Sequence, residues 1–96
     1  MILETAEVKI AAEHHDKFEK AMKLAVETVL SQASGFIKFE LHKGIEKADT
    51  YLFHIHWDTL ESHTIGFRES DLFIKWRELI GPYFSYPPEI NHWSIK

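Results

Sequence analysis

The densest group of chemically capable residues lies between Trp57 and Trp76. His63 carries an imidazole, the usual general base near neutral pH, and a partly buried pocket can tune it. Arg68 carries a positive charge that can stabilise an oxyanion formed when a base removes a proton. The rings of Trp57, Phe67 and Trp76 can form an apolar slot for a flat molecule. From these side-chain types we predict catalytic roles for His63 and Arg68 and substrate-binding roles for the three aromatic residues.

Each of these residues also has a purely structural explanation. His63 can lie on the exposed face of a helix, and Arg68 can pair with a nearby glutamate. Trp76 lies at helical spacing with other apolar residues and can belong to the core. Tyr83, which we include among the predicted substrate-binding residues, can line a cavity mouth or pack on a partner subunit.

A second group of candidates is formed by His54 and His56, which alternate on one predicted strand and therefore point to the same side. With His42 on the neighbouring strand, three imidazoles can lie within reach of one divalent metal. The same imidazoles can instead pair with Lys38 and Glu40 without a metal. We predict no metal and no cofactor, since the chain also lacks cysteine and a glycine-rich phosphate loop.

Length and composition restrict the class of protein. Ninety-six residues form one domain, residues 1–96, with a thin core. Aromatic residues make up 14% of the chain, which indicates an aromatic-lined cavity, a subunit interface or an aromatic core. The net charge is −4 without a Lys/Arg cluster, so nucleic acid and membranes are not expected partners. The lack of cysteine and of a signal peptide predicts a cytoplasmic protein.

Hydrophobic periodicity and capping signals predict the secondary structure. Alternation predicts strands over residues 2–10, 36–43, 50–57 and 89–96. A helical stripe predicts a helix over about 15–32 with Asp16 as N-cap and Ser34-Gly35 at its end. Asp58 is the predicted N-cap of a short helix, and Ser70 of a longer helix that ends at Gly81.

These elements follow the order βαββ(α)αβ, which is the ferredoxin-like α+β arrangement of an antiparallel sheet with helices on one face. The other face is left open. We predict that Phe36 and Leu52 lie on it among charged and histidine side chains, and that a homodimer covers it. His92 on the last strand can point to either face.

Four short motifs are informative in combination. They are Ser34-Gly35-Phe36 before the second strand, a strand that ends at Trp57, Ser70-Asp71-Leu72-Phe73 at a helix start, and Pro87-Pro88-Glu89 before the last strand. In this order the whole chain resembles the antibiotic-biosynthesis-monooxygenase (ABM) domains of the dimeric α/β-barrel superfamily. The resemblance implies a homodimeric barrel and a cofactor-independent monooxygenase that acts with O2 on a quinol or anthrone.

The resemblance leaves other functions open. Haem-degrading members carry an asparagine, a tryptophan and a histidine ligand at positions that align with Ala6, Phe67 and Arg77, so this chain departs from them at all three. The domain can instead be a non-catalytic or stress-related barrel that binds a small hydrophobic molecule, or a small-metabolite isomerase or lyase. Any catalytic cavity is expected between the helical face of the sheet and the two C-terminal helices.

Overall fold

The computed structural model describes residues 1–96 and contains the predicted strands and helices in the predicted order. The strands are β1 (Ile2–Lys9), β2 (Phe36–Lys43), β3 (Thr50–Trp57) and β4 (Glu89–Ser94). The α-helices are α1 (His15–Thr28) and α2 (Asp71–Ile80), and a π-helix at Ser62–Phe67 joins β3 to α2. None of the helices has the length and apolar character needed to span a membrane.

The four strands form one antiparallel sheet in the order β2-β3-β1-β4, which confirms the ferredoxin-like α+β fold. Alternation along the central strands places one set of side chains under the helices. Ala6 and Val8 on β1 and Phe53, Ile55 and Trp57 on β3 are buried there. Helix α1 adds Phe18, Met22 and Ala25 to this core, and α2 adds Trp76 and Ile80.

The register of β1 brings distant residues together. Glu4 lies opposite Ile55 of β3 on one side and opposite His92 of β4 on the other. Ile2 lies opposite Trp57, so the indole is a diagonal neighbour of Glu4 on the helix-covered face. β1 therefore places the Glu4 carboxylate among the apolar side chains of the helix-covered face.

The predicted position of Phe36 on the open face is wrong, because a β-bulge interrupts the pairing of β2 and β3 between Phe36 and Lys38. Phe36 lies opposite Trp57 and packs edge-on against its ring, with the centroids 6.0 Å apart. Ile37 is the extra residue of the bulge, and its side chain is 51% exposed. Strict alternation gave the wrong face because a bulge shifts every residue before it by one position.

The predicted N-cap at Asp16 is also wrong. Helix α1 begins at His15 after a single 3-10 turn, its N-cap position is His14, and no side chain caps it. The α-helical hydrogen bonds end at Thr28, and a further 3-10 turn, Leu30–Gln32, completes the predicted helical stretch.

The short helix after β3 starts differently from the prediction as well. The hydroxyl of Thr59, rather than the carboxylate of Asp58, accepts the backbone N–H of Ser62. Asp58 instead accepts the Ser62 hydroxyl and the Thr59 amide. The predicted boundaries of α2 are confirmed, with Ser70 at the N-cap position and Gly81 directly after the helix.

Gly35 lies where the chain enters β2 and has a φ of +85°, which glycine adopts without strain. Its carbonyl oxygen accepts the backbone N–H of Asp58 at 2.8 Å. A Cβ at this position would collide with the side chains of Asp58 and Ser62. The glycine therefore allows the end of β3 and the start of the π-helix to pack directly against the start of β2.

Candidate functional site

A cavity of about 190 Å³ lies between the helix-covered face of the sheet and the elements that follow β3. The sheet contributes residues from β1, β3 and β4, and the opposite wall comes from the π-helix, α2 and the segment that leads into β4. Most of the lining is apolar: Ala6, Phe53, Ile55, Phe67, Phe73, Trp76, Phe84, Pro88 and Ile90. Small-molecule sites usually combine such a surface with a few polar groups.

Four polar residues converge on this cavity: Glu4, His63, Arg68 and Arg77. The first two are buried and the two arginines are exposed, so the guanidinium groups lie at the rim. Two larger depressions of about 420 Å³ lie near the turn between β2 and β3, but few of their lining residues are apolar.

The carboxyl group of Glu4 is held by its neighbours on the sheet and the π-helix. The indole Nε1–H of Trp57 donates a hydrogen bond of 2.9 Å to Oε1 of Glu4. The same oxygen lies 3.3 Å from Nε2 of His63. The second carboxyl oxygen accepts no hydrogen bond from the protein, so it is available to a molecule in the cavity.

The imidazole of His63 is positioned on three sides. Its ring stacks on Trp57 with the centroids 5.4 Å apart and an interplanar angle of 21°. Its Nδ1 lies 2.8 Å from Nε2 of His92 in a hydrogen bond whose donor depends on the tautomer. The π-helix supplies the remaining constraint, since the N–H of Arg68 donates to the carbonyl of His63, five residues earlier. His63 and Phe67 both point inwards as a result.

Burial determines the protonation of this group. It raises the pKa of Glu4 to about 7, although the Trp57 hydrogen bond and the Arg68 charge oppose the rise. Burial also lowers the pKa of His63 to about 3, with smaller contributions from Arg68 and His92. The pKa of His92 is lowered, first by burial and then by Arg68. The 3.3 Å separation of Glu4 and His63 would suit an ion pair, but burial disfavours both charges. Between about pH 3 and pH 7, Glu4 therefore keeps its proton and His63 is neutral.

The structure brings four of the six predicted site residues to the cavity wall. These are His63, Phe67, Arg68 and Trp76. Trp57 is fully buried behind them and contacts Glu4 and His63 rather than the cavity itself. Tyr83 does not line the cavity, because its ring packs edge-on against Phe18 of α1, with the centroids 5.9 Å apart.

Three residues of the cavity region were not predicted as first candidates. Glu4 could have been identified from the sequence, because it is a carboxylate on the apolar side of an alternating strand. His92 was assigned to neither face, and only the β1–β4 register places it beside His63. Arg77 had no such signal, because sequence spacing does not reveal how α2 is rotated over the sheet.

The remaining histidines of the predicted sheet lie on its other face. His42, His54 and His56 point away from the cavity, because they alternate with half-buried residues of β2 and buried residues of β3. They are therefore separated from Glu4 and His63 by the thickness of the sheet.

The chain matches known proteins over most of its length. Residues 1–79 match the family described as antibiotic biosynthesis monooxygenase. The uncharacterized protein YczJ of Bacillus subtilis (strain 168) is 32% identical over 94 residues, which cover 98% of each chain.

Solved structures agree with this match. A Bordetella bronchiseptica protein assigned as an antibiotic biosynthesis monooxygenase has a TM-score of 0.92 and 29% identity, over 99% of this chain and 96% of that chain. The ActVA-Orf6 monooxygenase of Streptomyces coelicolor, in complex with Nanaomycin D, has a TM-score of 0.78 over 99% of this chain and 87% of its own; at 13% identity it shows the fold alone. The chain belongs to the antibiotic biosynthesis monooxygenase family.

Proposed function

We propose that this protein is a cofactor-independent monooxygenase that acts with O2 on a small quinol or anthrone-like substrate. The observation that carries the proposal is the Glu4–His63–His92 group at an apolar cavity, in which Glu4 and His63 are buried and His92 is exposed. Oxygenation without a cofactor requires a base that converts the substrate into an electron-rich anion. A buried carboxyl with a pKa of about 7 is suited to this role near neutral pH.

Glu4, rather than His63, is the proposed proton acceptor. The pKa of His63 is too low for the imidazole to hold a proton near pH 7, whereas Glu4 is ionised above that pH. His63 then positions the carboxylate and can relay its proton, since the two imidazole nitrogens face Glu4 and His92. Trp57 anchors the carboxyl through Oε1 and leaves the other oxygen for the substrate.

The chemistry balances without an added reductant. Glu4 removes one proton from the substrate, and the resulting carbanion transfers one electron to O2. Recombination of the two radicals forms a C–O bond, and the peroxide anion takes a proton back from Glu4. Loss of the hydrogen that remains on the oxygenated carbon breaks the O–O bond, which leaves a carbonyl and releases water. The substrate supplies all the electrons, and each oxygen atom of O2 is accounted for.

Two arginines at the rim of the cavity, Arg68 and Arg77, can stabilise negative charge on a bound substrate. Arg68 lowers the pKa of Glu4 and of His63 by its positive charge, so its guanidinium acts on the interior of the site. Arg77 lies 5.8 Å above the ring of Phe73. Two cationic groups beside an apolar interior favour an anionic oxygen on the bound substrate.

Cavity size narrows the substrate class. About 190 Å³ is below the roughly 300 Å³ at which most ligand sites begin. A one-ring or two-ring quinol therefore suits the cavity better than a three-ring anthrone. That the Streptomyces coelicolor monooxygenase of this fold is found in complex with Nanaomycin D supports a small organic molecule as the ligand.

We also propose that two copies pair through the open face of the sheet. This face carries Leu52 and Trp93, and the Trp93 ring is 54% exposed although its Nε1–H bonds the Thr5 hydroxyl. An exposed aromatic and aliphatic surface on a small domain favours association, and a two-fold dimer is the commonest solution.

Oxygen uptake with a panel of one-ring and two-ring quinols tests the proposed function. We expect uptake to rise with pH through about 7, since the ionised form of Glu4 is the base. Glu4→Gln keeps an acceptor for the Trp57 N–H and should lower the rate by about a hundredfold or more. Glu7→Gln, on the other face of β1, is the matched control and should leave the rate unchanged.

Two outcomes would contradict the proposal. Equal rates for Glu4→Gln and the natural protein would remove Glu4 as the base. Conversion of a substrate without O2 consumption would instead support the isomerase or lyase alternative, because the same acid–base group can move a proton between two carbon atoms.

A further inference from the structure

We propose that the open face of the sheet carries a second site, separate from the cavity, that binds an exchangeable divalent transition metal such as zinc through Glu40, His42 and His54. One ligand atom from each of the three residues lies within 4.8 Å of the other two. No part of this inference depends on the proposed monooxygenase activity, because the sheet separates the two sites.

The pairing of β2 with β3 brings the three side chains together. Glu40 and His42 are two residues apart on β2 and therefore share a face. His54 of β3 lies directly opposite Glu40, and His42 lies opposite Leu52, which makes it a diagonal neighbour of His54. Three donors on two paired strands need little backbone rearrangement to meet at one point.

The donor set and its spacing suit zinc. Two imidazoles and one carboxylate form a common three-ligand zinc set, with a fourth position left for water. The His42 and His54 ring centroids are 4.6 Å apart, and Oε1 of Glu40 is 3.6 Å from Nε2 of His42. Ligands about 2.0–2.2 Å from a tetrahedral ion lie about 3.4 Å from each other. The Glu40–His42 pair is already close to this spacing, and the other separations, all within 4.8 Å, need to close by at most about 1.4 Å. The Glu40 and His42 side chains are about half exposed in the single chain. Because the proposed dimer pairs through the same face, the site would lie at the interface between the two copies.

Lys38 explains why the site should release its metal. Its Nζ lies 3.7 Å from Oε2 of Glu40, so the ammonium pairs with the carboxylate and repels a cation. Oε1 faces His42 and remains available to a metal while Oε2 stays with Lys38. An exchangeable ion agrees with the expectation that the protein holds no resident cofactor.

The structure changes the donor set considered from the sequence. His56 shares the face of His54, but it lies opposite Lys38 rather than opposite a metal ligand. Its Nδ1 is buried without a hydrogen-bond partner. Glu40 takes its place in the cluster.

Zinc titration of the untagged, chelator-treated protein by calorimetry tests this site, and Co²⁺ absorption reports on the ligand geometry. We expect one ion per chain. His42→Ala and His54→Ala should each weaken binding by more than about tenfold, since even the loss of a residue that only orients a ligand costs that much. His14→Ala is the matched control, because His14 is an exposed imidazole 4.0 Å from Glu13 that lacks a third donor.

Several results would overturn the inference. One is the absence of saturable zinc binding, and another is binding that survives both His42→Ala and His54→Ala. A loss in His56→Ala as large as in His54→Ala would assign the metal to the His54–His56 pair instead. A stoichiometry of half an ion per chain would mean that two copies share the ion. Circular dichroism of each variant separates loss of the site from loss of the fold.

Discussion

Glu4 on β1 and His92 on β4 lie opposite each other in the sheet, and the imidazole of His63 bridges them. Its Nε2 is 3.3 Å from Oε1 of Glu4, and its Nδ1 is 2.8 Å from Nε2 of His92. Glu4 and His63 are buried, whereas His92 lies on an edge strand and is exposed. A proton on the buried carboxyl therefore has a short path through two imidazoles to solvent.

The pKa of Glu4 predicts how stability depends on pH. The folded chain keeps this proton up to about pH 7, whereas a carboxyl of ordinary pKa, 4.5, loses it earlier. The free energy of unfolding therefore falls as pH rises from about 4.5 to 7, by about 3 kcal/mol at 1.36 kcal/mol per pH unit. Glu4→Gln should remove this loss, so its stability relative to the natural protein should increase across that range. Urea unfolding at several pH values measures the difference.

The contribution of His63 to the free energy of unfolding should depend on pH in the opposite direction. Burial lowers its pKa from 6.5 to about 3, so the unfolded chain takes up the proton first as pH falls. The stability contribution of the neutral imidazole is complete above pH 6.5 and is lost between about 6.5 and 3. His63→Gln should therefore gain stability relative to the natural protein on acidification. A pH-independent difference for both variants would contradict the proposed protonation of the pair.

His92 is predicted to carry protons between the buried pair and solvent. His92→Gln keeps a hydrogen-bonding side chain at the edge of the sheet but cannot relay a proton. Turnover of an accepted quinol should fall in dilute buffer and recover as free imidazole is added, because the small base takes over the transfer. Oxygen uptake against imidazole concentration measures this, with His14→Gln as control. A rate that does not respond to imidazole would show that His92 has only a structural role.

Gly35 is predicted to be indispensable for packing at the start of the π-helix. Gly35→Ala places a Cβ on a residue with a φ of +85° and against Asp58 and Ser62. The left-handed backbone alone costs about 1–2 kcal/mol, and the collision adds to it. Gly66→Ala is the matched control, since the nearest atom to its Cβ would be 3.8 Å away. Thermal unfolding should show a clear loss for the first variant only, and equal melting temperatures would refute this assignment.

Leu52 tests the proposed pairing of two sheets. A charge at this position would be buried without a partner in the dimer, so Leu52→Glu should shift the protein towards a monomer. Leu24→Glu is the control, because Leu24 is 49% exposed on α1, away from the sheet. Light scattering at micromolar concentration should give about twice the chain mass for the natural protein and the control. An unchanged mass for Leu52→Glu would place the interface elsewhere.

The amino-acid sequence alone was sufficient for the fold and for part of the cavity wall. Hydrophobic periodicity is a local property, and it predicted the four strands, α2 and the ferredoxin-like order. Phe67, Arg68 and Trp76 follow β3 through short connections, so their nearness to His63 was also readable. The bulge after Phe36 could not be read from the sequence, because the residues of a bulged strand have the same extended-strand composition as those of a regular strand.

Only the tertiary structure decided which titratable groups lie next to one another. Glu4 and His92 are near opposite ends of the chain, and they meet because β1 pairs with β4 in one particular register. Glu40 joins His42 and His54 in the same way, through pairing across the β2–β3 hairpin. The unusual pKa of Glu4 arises from burial under His63 and Trp57. Burial depends on how all the elements pack, and no local spacing of residues contains that information.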